Sequence, residues 1–213
     1  MLNKKEISSI LIITLVLAIS ISFIKDGEIA VRELFLPTLL AIFLVILLNV
    51  FFKKIIGNYL GISTEIKMWE IRQWGIKSHF RFKNSLNLGV VLPIVLKILS
   101  FGYLNFTAAL VYDVKAKIYR TAKKHGLYAF SEISETQIGA IAAAGIGANI
   151  ICSIISYILG YPEFAKLNLG FAFWNLLPIS NLDGNKIFFG SFALWTFLIL
   201  VVLTGLLLSA FMI

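Results

Sequence analysis

A helix needs about 20 mostly apolar residues to cross the hydrocarbon layer of a bilayer. Residues 7–24, 34–52, 138–159 and 192–213 each meet that requirement. Residues 167–182 are shorter and carry polar side chains, so they span only if those side chains face protein. Residues 86–111 are apolar but interrupted by Pro93, Lys97 and the run Ser100-Phe101-Gly102. That divides them into two halves, each too short to cross alone. Between the second and third apolar regions, 63–85 partly alternates apolar and polar positions: Ile66, Met68, Phe80 and Phe82 stand against Lys67, Arg81 and Lys83. A period of two predicts strands, here a hairpin at the membrane interface with Trp69 and Trp74 at headgroup depth.

Composition agrees with this pattern and sets its class. Of 213 residues, 59% are hydrophobic and 14% charged, far below the charge of a soluble domain. The net charge of +8 is concentrated between the apolar runs, which marks membrane orientation and excludes a nucleic-acid surface. The lone Cys152 lies in an apolar run, where it has no disulfide partner and reads as packing. The first apolar stretch is long for a signal peptide and no small-x-small cleavage site follows it, so it is expected to be a retained helix.

Basic residues then set the topology. Residues 53–85 carry seven and 112–137 carry five, whereas 25–33 hold two against three acidic ones. The positive-inside tendency places the N-terminus, 53–85 and 112–137 in the cytoplasm and 25–33 outside. Residues 86–111 must then enter and leave on one side, as a re-entrant hairpin packed against other helices. The expected fold is an all-α, multi-pass cell-membrane protein of about five transmembrane helices, with that hairpin and a small interfacial β-hairpin, in a single membrane domain over 1–213.

The most specific local signal is Asn175-Leu-Leu-Pro178-Ile-Ser-Asn-Leu-Asp183-Gly184. A carboxylate ending an apolar segment is expensive in a bilayer and needs a partner or a cation. Pro178 and Gly184 allow the helix to break beside it. This segment resembles the N-x-x-P-x-x-x-x-D-G motif of the site-2 protease family of intramembrane zinc metalloproteases, in which the aspartate is a zinc ligand. The small-residue stretch 142–153 resembles the family's G-P-x-x-N helix, with Gly145 and Asn149 in place and Ile146 where proline usually sits. Residues 49–62 resemble its H-E-x-x-H helix and tail, matching at Leu60-Gly61-Ile62 but not at the head. The resemblance implies a site-2-protease-like core: a ligand helix in 34–62, interfacial strands and hairpin in 63–111, and the remaining motifs in 138–190. With the hairpin assumption, Asp183 comes to the depth of Asn49 and Lys53 at the cytoplasmic side.

The departures bear on chemistry. A catalytic zinc site takes three protein ligands, two of them commonly histidines four apart on a helix, and a neighbouring glutamate takes a proton from bound water. Here Asn49 and Lys53 stand at the ligand positions and Val50 at that of the base. An amide is a feeble ligand, an ammonium repels a metal and valine accepts no proton. Asp183 keeps the family's metal-ligand position, while Asn149, Asn175, Pro178 and Gly184 are groove or structural residues. His79 and His125 are 46 residues apart and share no helix, so nothing joins them to Asp183.

The expectation is therefore a binding or regulatory module without a cofactor, in which the Lys53 ammonium pairs with Asp183 and Asn49 and Asn149 hydrogen-bond around them. Its partners would be other membrane proteins or their transmembrane segments. The alternatives are an intramembrane metalloprotease with a non-standard zinc site, and a small transporter lined by Asn149, Asn175 and Asp183.

Overall fold

The computed structural model describes residues 2–23, 31–73, 81–116 and 133–212. The described chain holds seven helices and four short strands: α1 (Lys4–Phe23), α2 (Val31–Tyr59), β1 (Ile62–Met68), β2 (Glu70–Gln73), β3 (Arg81–Asn87), α3 (Leu88–Leu99), β4 (Leu110–Ala116), α4 (Glu135–Ile158), α5 (Pro162–Leu176), α6 (Asp183–Gly190) and α7 (Phe192–Met212). Four of the helices, α1, α2, α4 and α7, are long and apolar enough to cross a membrane. Where the sequence predicts about five spans, α5 is only 15 residues long. Pro178 ends it early by forcing Leu177 into an extended conformation (ψ 130°). The sequence reads as one membrane domain; the chain divides into two compact units, 1–43 with 67–111 and 44–66 with 112–213.

In the first unit, α1 lies against α3, and Ser20 Oγ donates to the Pro93 carbonyl at 2.9 Å. Strands β2 and β3 pair antiparallel, Glu70 opposite Asn87 and Ile71 opposite Leu86, with an irregularity before Gln73 meets Arg81. The expected hairpin over 63–85 is thus built from its second half alone, because β1 pairs with β4 instead. Trp69 is buried and stacks on Phe106, ring centroids 6.3 Å apart. Trp74 lies outside the described residues.

The two halves expected of 86–111 take different forms. A single helix, α3, ends at Phe101 and Gly102, which both take positive φ (51° and 94°), and the chain returns extended. Buried Lys97 secures that turn by donating to Gly102 O and Asn105 Oδ1, each at 2.7 Å. The returning backbone has a partner in Trp69, whose N–H donates to Ala109 O at 2.9 Å.

The second unit is organised around α4. Ser134 caps it, its hydroxyl accepting from the Gln137 N–H while the Gln137 side chain reaches back to the Ser134 N–H. Helix α5 returns along α4, with Ser153 Oγ donating to Ala165 O at 2.9 Å. Its polar residues do face protein: Asn168 and Asn175 are buried and spend their amide N–H on carbonyls one turn back. Helix α7 packs on α5, and the Trp195 indole satisfies Leu176 O, one of the carbonyls left over at the α5 terminus. Short α6 lies along the first half of α4, where Gly139 meets the backbone of Lys186 and Gly190. The ends Glu135, Leu176, Gly190 and Trp195 therefore share one side of this unit, and the α4–α5 turn at Leu159–Tyr161 lies on the other.

Candidate functional site

Helix α2 contributes Asn49 and Lys53, one turn apart on one face, and both are buried. They are reached by α4 at Gly145, where a Cβ would lie 2.8 Å from Lys53 Cε, 2.9 Å from Asn49 Nδ2 and 3.0 Å from Asn49 O. Any side chain at 145 would force the two helices apart, so glycine is what lets α4 close on the polar face of α2. Asn149 follows four residues later on the same face of α4 and is wholly buried.

The third contribution comes from the break between α5 and α6. After Pro178 the chain turns through Ser180 (φ 50°) and enters α6 at Asp183. Gly184 is required there, since a Cβ would sit 2.0 Å from Leu176 O. That contact brings the first turn of α6 against the last carbonyls of α5 and directs Asp183 inward. Its carboxylate is 0% exposed and accepts from Lys53 Nζ at 2.5 Å. The pairing expected from the sequence is thus present, joining residues 130 apart in the chain.

The amides depart from expectation. Asn49 Nδ2, both polar atoms of the Asn149 side chain and Asp183 Oδ1 have no hydrogen-bond partner among the described residues. The Asn49 amide lies against α4, with its Nδ2 2.9 Å from where a Cβ at Gly145 would stand. Asn175 is spent within its own helix on Phe171 O, and Pro178 is exposed. Val50 is buried beside the pair in sequence and offers no polar atom.

Sequence reasoning missed Tyr112 and Lys186. Strand β4 carries Tyr112, buried, with its hydroxyl donating to Ile138 O of α4 at 2.6 Å. Lys186 of α6 lies 3.6 Å from the centre of the Tyr112 ring and donates to the Tyr112 carbonyl; Lys53 Nζ lies 5.2 Å from the same ring. Burial pushes the Lys186 ammonium down to about 8, against Asp183, which raises it; Lys53 lowers it further and Asp113 opposes. Burial, reinforced by the Asp183 charge, pushes the Tyr112 phenol well above its usual range, so it stays protonated and able to donate. The spacing Asp183–Lys186, three apart on a short helix, was a readable sign that both face one way. Nothing in the sequence around Tyr112 sets it apart from a loop tyrosine.

Zinc, which the motif resemblance implies, does not fit these side chains. The one carboxylate is already bonded to an ammonium, and its neighbours on α2 are an amide and a valine. Among the described residues, no group of three or more His, Cys, Asp or Glu converges. His79 and His125 fall outside the described residues. Comparison with family models, curated proteins and solved structures yields no match, so the resemblance stands on the quoted motifs.

Proposed function

We propose that this chain is a non-catalytic protein of the site-2 protease type, which holds transmembrane segments of other membrane proteins without cutting them. The observation that carries the reading is the Lys53–Asp183 pair. The positive charge that would belong to a metal is covalently supplied by a side chain standing at a metal-ligand position of the motif. A buried carboxylate stripped of its cation costs about 3–5 kcal/mol, which gives Lys53 a reason to be there independent of catalysis.

Two further features support holding. Asn149 has a donor and an acceptor with no partner among the described residues, the complement of a main-chain amide from an unwound segment. Among the described residues β1 and β4 form a two-stranded sheet, and an extended segment can add to a small sheet through its backbone. The excess of basic residues in 53–85 and 112–137 supports a cytoplasmic placement of the side bearing the α2 terminus.

Metal content after zinc loading of the detergent-purified protein tests the reading, beside an Asn49→His/Val50→Glu/Lys53→His triple variant. Wild type should carry no zinc and the triple variant about one equivalent, lost again on adding Asp183→Ala. Tight zinc in the wild type that disappears with Asp183→Ala would return the protein to the enzymes.

A further inference from the structure

The Lys53–Asp183 pair is covered on one side by a strand and not by a helix. Tyr112 of β4 comes within 5.2 Å of Lys53 Nζ at its ring centre, and it is held there by two other elements. Its hydroxyl reaches Ile138 O near the start of α4, and its carbonyl and ring face are both taken by Lys186 of α6. Strand β1, the partner of β4, is anchored differently. Its Thr64 carbonyl accepts from Lys54 Nζ at 2.9 Å, and its residues Ile62 and Thr64 pack on Gly57 of α2. One strand of this small sheet is therefore fastened to α2 by Lys54 and by packing on Gly57, and the other is fastened to α4 and α6 by Tyr112 and the side chain of Lys186.

We propose that Tyr112 and Lys186 form a latch that holds β4 closed over the Lys53–Asp183 pair, and that its release is what opens the buried polar site. The chemistry suits a reversible contact. It consists of one neutral hydrogen bond, one bond from a half-buried amine and a cation–ring contact, each of modest strength. None of these is part of a helix or of a strand ladder, so all can break while α2, α4 and α6 keep their packing. Local opening of this kind draws on elements held by few contacts. The remaining charged groups that face Lys186 are Asp183 on its own helix, Lys53 from α2 and Asp113 from β4. The two carboxylates favour the Lys186 ammonium and Lys53 opposes it, so the amine is held by the fields of three elements.

The latch regulates the site proposed to hold peptide but rests on its geometry, whether or not peptide binds there. Access is therefore read with no partner present. In a Cys152→Ser background, Asn49→Cys places the one thiol beside Lys53, and its modification by methyl methanethiosulfonate is timed in detergent. Tyr112→Phe, which keeps the ring and loses the hydroxyl's hydrogen bonding to the α4 backbone at Ile138 and Ala142, should speed modification by roughly tenfold, as expected for weakening an opening equilibrium by about one hydrogen bond. Lys186→Met should do the same, while Lys186→Arg, still able to donate and to lie on the ring, should remain near the parent rate. A second measurement needs no thiol: β4 amides should exchange hydrogen faster in Tyr112→Phe than in wild type while α4 amides do not. Equal modification rates in the parent, Tyr112→Phe and Lys186→Met proteins, or β4 exchange that Tyr112→Phe leaves unchanged, would overturn the latch.

Discussion

Lys186 has an ordinary ammonium value of 10.5 and a folded one of about 8, with burial as the main cause. Between those two values the unfolded chain binds a proton that the folded chain has released. Stability must therefore rise as pH increases through that window, at roughly 1.4 kcal/mol for each pH unit. Unfolding of wild type and Lys186→Met, followed from pH 7.5 to 10.5, should show the wild type gaining on the variant by a few kcal/mol. Parallel curves would mean that the amine is better solvated than its position suggests. Single residues also show how far the sequence could be read at the site. Asp183 and Lys53 were legible because an acid and a base in apolar runs are costly unless they meet. That they meet each other was read from the motif resemblance and the charge-based topology. The silent amide of Asn149 was not legible in that way: its place on α4 follows from the four-residue spacing to Gly145, but its lack of partners depends on neighbours from other elements.

At the scale of elements, two glycines control how closely helices approach. A Cβ at Gly145 would press on a backbone carbonyl and on the Lys53 stem, whereas one at Gly184 would overlap the Leu176 carbonyl at 2.0 Å. Overpacking commonly costs about 1–3 kcal/mol and more where backbone must move. Gly184→Ala should thus destabilise the protein by more than Gly145→Ala, measured by denaturant unfolding in one detergent; the reverse order would show that α6 shifts freely on α5. Elements were legible in proportion to their length. The spans α1, α2, α4 and α7 followed from apolar runs alone, with ends displaced by a few residues, as at the Ser134 cap. Short pieces were not, because their pairing is decided at a distance. Strand β1 alternates as its sequence predicts, yet its partner is β4, some 45 residues on, and not the neighbouring strand. Residues 86–111 divide in two as their breaks suggest, and the positive-φ turn at Phe101-Gly102 with the folding back of Lys97 makes one half a helix and the other an extended return.

Taken as a whole, the chain was placed in the membrane by its composition and helix lengths before any motif was considered, and four helices of sufficient length and apolarity agree. In the second unit the common side shared by the start of α4, the end of α5, α6 and the start of α7 accounts for how Asp183 reaches the level of Lys53. In that pair a buried lysine meets a buried carboxylate inside the protein. The most direct test is a double-mutant cycle on unfolding in detergent, with Lys53→Met and Asp183→Asn made singly and together. Lys53→Met should cost about 3–5 kcal/mol in the wild type and close to nothing once Asp183→Asn has removed the carboxylate. Equal losses in the two backgrounds would mean that the ammonium and the carboxylate do not depend on each other, and the substitution of a lysine for a metal would have to be abandoned.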